Sequence, residues 1–262
     1  MANMTSSVSA SRVAGELASA TFEEIPALVE HYREDPRQQV IKACERALKR
    51  HAKELAERER VNDMYELMHE LGGDGVVVGV DEVGRGSVAG PLTVCAVCLP
   101  MEPRVWGIND SKKLTPARRE LLSVKIAEVA TAIGFCHIAP KDIDEMGMAR
   151  AIRTAVAGAV ADTGLEPDCV LMDGNPLGAV PNERDVVKGD AKIACIAAAS
   201  IMAKVTRDEM MVEYDAEYPE YHLAESKGYA SPEHIEAIRK HGLCPLHRVS
   251  FCGNFLQTER LF

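Results

Sequence analysis

The sequence is poor in aromatic residues, and it has neither an excess of positive charge nor a long apolar run. Aromatic residues make up 5% of the chain, with a single tryptophan, which argues against a base-stacking platform of the single-strand-binding type. The formal net charge is −10, which excludes a uniformly basic nucleic-acid coat but allows a local basic groove. Since no apolar run reaches the length of about 18 residues that spans a bilayer, no transmembrane helix is expected.

The 8 cysteines stand at scattered positions, several of them inside apolar runs, as reduced and buried thiols do. Residues 1–20 are rich in Ser and Ala and contain no apolar segment of the secretory kind. We therefore expect a cytoplasmic protein with no membrane partner. Nothing in the sequence demands more than a monomer.

The 262 residues suffice for one large domain, or for a domain of ordinary size with a small appendage. Composition predicts disorder for residues 1–21, and apolar residues at three- and four-residue steps predict a helical extension over residues 22–72. A basic stripe runs along that extension, formed by Lys42, Arg46, Lys49, Arg50 and Lys53. It is either a solvated helix face or an auxiliary surface for a polyanion.

From residue 73 onward strands alternate with helices, which predicts an α/β domain over residues 73–262. Short apolar and β-branched runs predict strands at 76–80, 92–99, 134–138, 169–173 and 186–187. Capping residues and glycine stops predict helices at 116–132, 149–162, 192–214 and 232–242.

Acidic residues follow three of these predicted strands. Asp81 and Glu82 end the first, Asp173 ends another, and Asp190 stands just before the long helix. Because strand ends meet at one edge of an α/β sheet, we expect these four carboxylates to lie together and to repel one another. Hard divalent cations such as Mg²⁺ or Mn²⁺ neutralise such clusters, and a pair of them can cleave a phosphodiester. A single strand-end aspartate would be a turn residue, but three such positions indicate a metal site.

The glycine-rich segment after the first strand needs a separate interpretation. Gly84-x-Gly86-x-x-Ala89 matches a loose dinucleotide-binding pattern, but such a loop must open a helix, and Pro91 begins a strand-like run instead. We therefore reject dinucleotide binding. Glycine amides can approach a sugar-phosphate closely because no Cβ intervenes, so Arg85 and its flanking glycines suit a nucleic-acid backbone.

Asp81-Glu82-Val83-Gly84-Arg85-Gly86 resembles the signature of the type 2 ribonucleases H, the bacterial ribonuclease HII family. Further matching segments follow in order over roughly residues 75–251: 109–114 (NDSKKL), 173–175 (DGN), 187–190 (VKGD), 197–208 (AAASIMAKVTRD), 226–229 (SKGY) and 247–251 (HRVSF). Several motifs in the right order are far more specific than one short pattern. The sequence departs from the family at Ser87, where many members have Pro, at Cys195 and at Val249. None of these changes removes a carboxylate.

The resemblance implies an RNase H-like fold, a mixed central β-sheet flanked by helices, here with a helical N-terminal extension. It implies hydrolysis of the RNA strand of RNA–DNA hybrids and incision 5′ of single ribonucleotides embedded in duplex DNA, leaving a 3′-hydroxyl and a 5′-phosphate. The substrates would be those two duplexes, the cofactors Mn²⁺ or Mg²⁺ with two ions at the transition state, and the role ribonucleotide removal from DNA.

The resemblance also assigns roles to particular residues. Asp81, Glu82, Asp173 and Asp190 would be the catalytic and metal-binding carboxylates. Gly84, Arg85 and Gly86 would recognise the 2′-hydroxyl and adjacent phosphates, and Tyr229 would stack on the neighbouring deoxyribose. Further candidates for phosphate contact or support are Lys112, Ser200 and Lys204.

Two other classes of function remain open from the residues alone. Another metal-dependent nuclease with an RNase H-like sheet, of the resolvase type, would share the carboxylates without needing Tyr229. A non-catalytic nucleic-acid binder would gain nothing from negative charge facing phosphates, which argues against it. His241, Cys244, His247 and Cys252 have no spacing typical of zinc modules, so we expect packing and surface roles for them.

Overall fold

The computed structural model describes residues 8–256. The chain separates into two compact units, Met1–Asn62 and Asp63–Phe262, which are described separately here. The division falls within the long helix α3, whereas the sequence predicted a boundary at residue 72, where that helix ends. The helices that begin in the first unit are α1 (Ala10–Ser19), α2 (Ile25–His31) and α3 (Gln38–Gly72).

The first unit is built on a small apolar core. Its members are Val13, Leu17, Ile25, Tyr32, Val40 and Ala47. The predicted disorder of residues 1–21 is wrong for Ala10–Ser19, which form α1, while residues 1–7 lie outside the described residues. Composition misled because α1 is held by two buried residues one turn apart and by the Ser9 side chain, which accepts a hydrogen bond from the Arg12 amide.

One member of the predicted basic stripe has an internal partner. The Arg50 guanidinium donates hydrogen bonds to the carbonyls of Leu17, Ala18 and Ala20 at the end of α1. Carbonyls at a helix C-terminus have no intrahelical donor, and a cation there also faces the favourable end of the helix dipole. Arg50 therefore stabilises the contact between α1 and α3. Since its guanidinium is engaged there, Arg50 is neither simply solvated nor available to a polyanion.

The second unit contains a five-stranded mixed sheet in the order β3-β2-β1-β4-β5. Its strands are β1 (Val77–Val83), β2 (Leu92–Cys98), β3 (Ala132–Ile138), β4 (Cys169–Asp173) and β5 (Glu183–Val186). β1, β2 and β3 pair antiparallel, and β1, β4 and β5 pair parallel. The last predicted strand is displaced, since β5 ends at Val186 and leaves Val187 exposed.

Helices cover both faces of this sheet, as predicted. Their bounds are α4 (Pro116–Val129), α5 (Pro140–Met146), α6 (Met148–Asp162), α7 (Ala194–Glu217), α8 (Leu223–Ser226), α9 (Pro232–His241) and α10 (Val249–Cys252). A Cβ placed on Gly79 of β1 would come within 2.3 Å of the Cys195 main chain, so α7 lies directly on that face. Val78 and Val80 share the opposite face and belong to the core that includes α6.

None of the helices within residues 8–256 is long and apolar enough to cross a membrane.

Candidate active site

The sheet brings Asp81 and Asp173 side by side. β1 and β4 are parallel neighbours, and Val80 pairs with Met172, so the two aspartates that follow occupy equivalent positions on adjacent strands. β1 continues through Asp81 and Glu82 to Val83. The chain turns only after Val83, because Glu82 still pairs with Val94 of β2.

Asp190 reaches the same place from a short 3-10 turn, Gly189–Ala191. The Gly189 amide donates a hydrogen bond of 2.6 Å to Asp173 Oδ1, which ties this turn to the end of β4. Asp190 is buried, and its side chain is 8% exposed. The four predicted carboxylates therefore lie at one edge of the sheet, two on β1, one on β4 and one in the turn before α7.

The electrostatics of this cluster are those of like charges withheld from water. Burial, together with the smaller effects of the Glu82 and Asp173 charges, raises the pKa of Asp81 to about 8, while a hydrogen bond from Ser200 acts in the opposite direction. Burial likewise raises the pKa of Glu82 and of Asp190, and Asp173 adds to both shifts. Protons are therefore bound to the cluster more tightly than to free carboxylates unless another positive charge replaces them.

Two cationic side chains approach the cluster from its open side. Lys112 Nζ lies 3.9 Å from Asp190 Oδ2, and its side chain is 81% exposed. Burial alone would lower the pKa of Lys112, but Asp190 and Asp81 raise it. Arg85 Nη1 lies 3.6 Å from Glu82 Oε1. Exposed pairs of this length contribute little stability, so both cations are available to a negatively charged ligand.

The donor set fits a hard divalent cation, although its side chains are not yet arranged as ligands. Within residues 8–256 no group of three His, Cys, Asp or Glu side chains stands in ligating geometry. The carboxylates nevertheless supply only oxygen donors, which Mg²⁺ and Mn²⁺ prefer. Burial and, to a smaller extent, the neighbouring negative charges raise the pKa values of Asp81, Glu82 and Asp190, and a bound cation would offset both effects.

Ser200 and Lys204, the two residues on α7 predicted to contact phosphate or to support the site, both make hydrogen bonds within the protein. Ser200 is buried, its hydroxyl lies 2.9 Å from that of Ser111, and it also bonds Asp81. Ser200 therefore supports the carboxylate from beneath. Lys204 Nζ donates a 2.7 Å hydrogen bond to Asp208 one turn further along the helix, so its charge is already partly compensated.

The two predicted substrate-binding glycines occupy different environments. Gly84 has φ +82°, and a Cβ there would meet Arg207 Nε at 2.3 Å and the Pro91 carbonyl at 2.8 Å. Gly86 is exposed, and a Cβ there would have nothing within 4 Å. Gly84 is therefore required by the fold of the loop, whereas Gly86 leaves the main chain open to a close approach from outside.

Arg207 belongs to the matching segment 197–208, but nothing in that segment indicates its structural role. It is fully buried on α7, and burial lowers its pKa. Its guanidinium donates to the carbonyls of Pro91, Ala89 and Lys227 and to the hydroxyl of Ser87, at 2.7–3.0 Å. The Ser87 hydroxyl in turn donates to the Gly84 carbonyl, a contact that the proline found in many family members could not make.

Arg248 is a second buried arginine beneath the same loop. It donates to the carbonyls of Gly90 and Arg85, and its own amide donates to the Val88 carbonyl. Burial lowers the pKa of Arg248 to about 10, and the charge of Arg207 contributes. An arginine within a run of apolar or small residues is a sequence signal for a buried arginine. The sequence alone does not show which carbonyls will surround such an arginine.

Tyr229 stands at the rim of the same loop. Its side chain is 40% exposed, and the Arg207 guanidinium carbon lies 5.8 Å from the ring centroid. The preceding Gly228 carbonyl accepts hydrogen bonds from the Val88 and Ala89 amides, which fixes Tyr229 beside the glycine loop. The exposed ring, the open Gly86 and the carboxylate cluster are therefore built on one connected set of segments.

Comparison with known proteins agrees with this geometry. The family model for ribonuclease HII matches residues 78–254, and that for the ribonuclease HII N-terminal domain matches residues 10–71. Ribonuclease HII of Moorella thermoacetica is 47% identical over 198 residues, which are 74% of this chain and 96% of that protein. Ribonuclease HII of Ruminiclostridium cellulolyticum is 44% identical over 204 residues, 77% of this chain and 80% of that one.

The chain belongs to the ribonuclease HII family. It is therefore an endoribonuclease of the RNase H class, and RNA–DNA is its class of substrate. The chemistry of this family depends on divalent metal ions. Family membership favours this activity over the resolvase-type alternative and over a non-catalytic binder.

Solved structures confirm the RNase H-like fold of this chain. The ribonuclease H2 of Pyrococcus horikoshii has a TM-score of 0.59 and 27% identity, covering 70% of this chain and 99% of that one. The Mn²⁺ complex of Bst-RNase HIII has a TM-score of 0.56 and 19% identity, covering 70% of this chain and 68% of that one. The second likeness concerns the fold alone.

Proposed function

We propose that this chain incises duplex DNA 5′ of single embedded ribonucleotides as well as cleaving continuous RNA–DNA hybrids, and so removes ribonucleotides from DNA. The products would be a 3′-hydroxyl and a 5′-phosphate. The observation that carries the proposal is the location of a half-exposed Tyr229 on the buried arginine that also holds the Gly84 loop. A single ribonucleotide offers one 2′-hydroxyl, so its recognition requires main-chain groups and a stacking surface at fixed positions.

The carboxylates would hold the divalent cations. Asp81, Glu82, Asp173 and Asp190 are the candidate ligands, and Mg²⁺ or Mn²⁺ suits their oxygen donors. Two such ions, when bound, lower the pKa of an attacking water and stabilise the leaving 3′-oxygen. Ser200 orients Asp81 through its hydrogen bond, and the Gly189 amide orients Asp173.

Recognition would be the work of the loop and its neighbours. The exposed main chain around Gly86 is open enough to reach a 2′-hydroxyl and its phosphate, and Arg85 is exposed beside it. The buried charges of Arg207 and Arg248 lie under this loop and favour a phosphate above it. Lys112 would neutralise another phosphate on the far side of the carboxylates, and the Tyr229 ring would stack on the adjoining deoxyribose.

The test uses a labelled DNA duplex that carries one ribonucleotide, with an all-DNA duplex and a continuous RNA–DNA hybrid beside it. Each is incubated with the purified full chain and Mg²⁺, Mn²⁺ or chelator. We expect a metal-dependent nick on the 5′ side of the ribonucleotide, with a 3′-hydroxyl that a polymerase can extend, and no cut in all-DNA duplex.

Cleavage of the hybrid without a nick at the single ribonucleotide would refute the proposed incision while leaving the family activity intact. The matched variants Tyr229→Ala and Tyr214→Ala, one at the rim of the loop and one on α7, separate stacking from a general loss of an aromatic residue. Only the first should reduce incision at the single ribonucleotide.

A further inference from the structure

Behind Tyr229 lies a pair of buried histidines to which the catalytic chemistry assigns no role. His234 on α9 and His247 in the segment before α10 are 0% and 3% exposed. Their Nε2 atoms are 3.1 Å apart. His234 Nδ1 lies 2.9 Å from the Tyr229 carbonyl oxygen, and His247 Nδ1 lies 3.0 Å from the Cys244 amide nitrogen.

The groups at the two ends of this row of hydrogen bonds, the Cys244 amide and the Tyr229 carbonyl, determine which ring nitrogen carries each proton. The Cys244 amide can only donate, so His247 Nδ1 must be the acceptor and the proton of the neutral ring is on Nε2. That proton is donated to His234 Nε2, which must therefore be unprotonated. His234 then carries its proton on Nδ1 and donates it to the Tyr229 carbonyl, which can only accept. Every contact is satisfied by one arrangement of two neutral rings.

We propose that His234 and His247 form a neutral, one-directional hydrogen-bond relay that runs from the Cys244 amide to the Tyr229 carbonyl and positions Tyr229 for the substrate. The positioning part of this inference rests on the role proposed above for Tyr229. Both histidines are positioning residues, because they act on the substrate only through the Tyr229 main chain.

Tyr229 is held both at its ring and along its main chain. Arg207 lies beneath the ring, while the Tyr229 amide donates to the Ser226 carbonyl and the Tyr229 carbonyl accepts from the Ser231 amide. The His234 hydrogen bond fixes that main chain from the other side. The His234 amide also donates to the Ser231 hydroxyl at the start of α9, so His234 links the first turn of this helix to the Tyr229 carbonyl.

Only the neutral rings fit this arrangement. A second proton on His234 would face the Nε2 proton of His247, and a second proton on His247 would face the Cys244 amide. Burial, with a smaller effect of the His234 charge, lowers the pKa of His247 to about 4. Burial also lowers the pKa of His234, and the charge of His222 acts in the same direction. The other titratable groups around the pair are Tyr221, whose ring packs against both histidines, His241 against Tyr221, and the Cys244 thiol against His247.

The first experiment is independent of activity. Long-range ¹H–¹⁵N correlation spectra of the full chain with labelled histidine, assigned with His234→Asn and His247→Gln, report which nitrogen carries the proton. We expect His234 as the Nδ1-protonated tautomer and His247 as the Nε2-protonated tautomer, both still neutral at pH 6, below the ordinary histidine pKa of about 6.5. The opposite tautomer on either ring, or a doubly protonated ring at pH 6, would overturn the relay.

The second experiment tests positioning. Cleavage rates on the single-ribonucleotide duplex and on the continuous hybrid are compared as a ratio for His234→Ala, His234→Asn and the control His241→Asn, with folding checked by thermal melting. Loss of one positioning hydrogen bond should lower the ratio about three- to tenfold in His234→Ala. The Asn amide can still donate to the Tyr229 carbonyl, so His234→Asn should recover most of the ratio, and His241→Asn should leave it unchanged.

The outcomes separate this inference from the proposed function. A wild-type chain that does not cut the single-ribonucleotide duplex refutes the proposed function and with it the positioning role, while the spectra still decide whether the relay exists. If wild type cuts it and His234→Ala slows both substrates equally, the histidine is merely structural and the positioning role is wrong. An equal loss in His234→Ala and His234→Asn also contradicts it.

Discussion

The carboxylate cluster and the neighbouring loop that contains Gly84 and Gly86 meet at one edge of the sheet, yet the interactions of their charged groups are opposite in kind. At Asp81, Glu82 and Asp190 burial and like charges raise every pKa, so the cluster is under electrostatic stress. Arg207 lies on α7 beneath the loop that contains Gly84, and its buried charge is surrounded by four oxygen acceptors. The carboxylate cluster therefore contains unfavourable electrostatic interactions, whereas the polar groups around Arg207 are satisfied by hydrogen bonds.

This difference matches the role proposed above for each region. A site that awaits cations must keep negative charges together in their absence, and such sites commonly cost stability. A surface that reads one hydroxyl must hold its donors in place before the substrate arrives, since ordering them on binding would weaken recognition. Substitutions should therefore have opposite effects on stability in the two regions, although they impair activity in both.

The largest expected effect is that of Asp81→Asn. If Asp81 is a metal ligand as proposed, its removal should lower the cleavage rate about a thousandfold or more. At the same time the neutral, nearly isosteric amide relieves repulsion with Glu82 and Asp173, so the metal-free protein should melt at a higher temperature above pH 7. Activity on a hybrid duplex and thermal melting in chelator measure the two effects.

Glu236→Gln on the exposed face of α9 is the matched control for Asp81→Asn, and it should change neither quantity. A destabilised Asp81→Asn protein would break the comparison, because it would mean that the cluster is held together by attractive contacts.

Arg207→Met tests the other region, and here stability and activity should fall together. The substitution retains the apolar stem but leaves buried carbonyls of Pro91, Ala89 and Lys227 without a donor, which should cost about 3 kcal/mol or more. Chemical denaturation measures the loss. Arg239→Met, at an exposed position near the end of α9, is the control and should cost less than about 1 kcal/mol.

The two regions also differ in how far the sequence predicts them. Asp81, Asp173 and Asp190 follow short apolar runs, and parallel strand ends necessarily meet, so their convergence could be derived from local pattern. The role of Arg207 depends on the loop containing Ser87, 120 residues away in the chain, and that of His234 depends on His247, 13 residues further along. An arginine or histidine on a helix is ordinarily a surface residue, and only the tertiary structure shows that these two are buried.

The fold shows the same division between local and distant causes. The five strands and the main helices of the second unit follow from apolar runs and caps, although β5 lies a few residues earlier than predicted. Helix α1 was missed because its stability comes from Val13 and Leu17 packing on residues of α2 and α3, which composition does not register. Local propensity therefore predicts elements that are apolar throughout and misses those that depend on a partner.

A pH series sharpens the contrast without any mutation. Asp81 has an unfolded pKa near 3.8 and a folded pKa of about 8, so between these values the native state binds more protons than the unfolded state. The stability that this proton supplies is complete below pH 4 and is lost as the pH rises through 8. Each unit of pKa difference is worth about 1.4 kcal/mol, so the free energy of unfolding of the metal-free protein should fall by a few kcal/mol over this range.

Urea denaturation in chelator at pH 5, 6, 7 and 8 measures that slope. Addition of Mg²⁺ or Mn²⁺ should raise stability most at pH 8, where the carboxylates are charged, and Asp81→Asn should flatten the slope. The same slope in wild type and Asp81→Asn would show that the titration belongs to other groups.

The paired glycines separate stability from recognition within one loop. Gly84→Ala introduces a Cβ at φ +82° and against Arg207 Nε, so it should cost roughly 1–3 kcal/mol and lower cleavage of every substrate. Gly86→Ala has open space around its Cβ and should change stability by less than about 0.5 kcal/mol. It should still raise KM, because the added methyl group separates the main chain from the substrate. Equal stability losses in the two variants would contradict the distinction.

The smallest expected effect is at Lys112, which belongs to the cluster only through a long contact with Asp190. Since the side chain is 81% exposed, Lys112→Gln should leave the thermal melting temperature unchanged. If the ammonium contacts a phosphate, KM should rise about threefold at moderate salt. The slope of the logarithm of the binding constant against the logarithm of the salt concentration should also become shallower by about one. Lys113→Gln, the exposed neighbour, is the matched control. An effect on kcat with no change in the salt dependence would instead place Lys112 among the groups that act on the reacting phosphate.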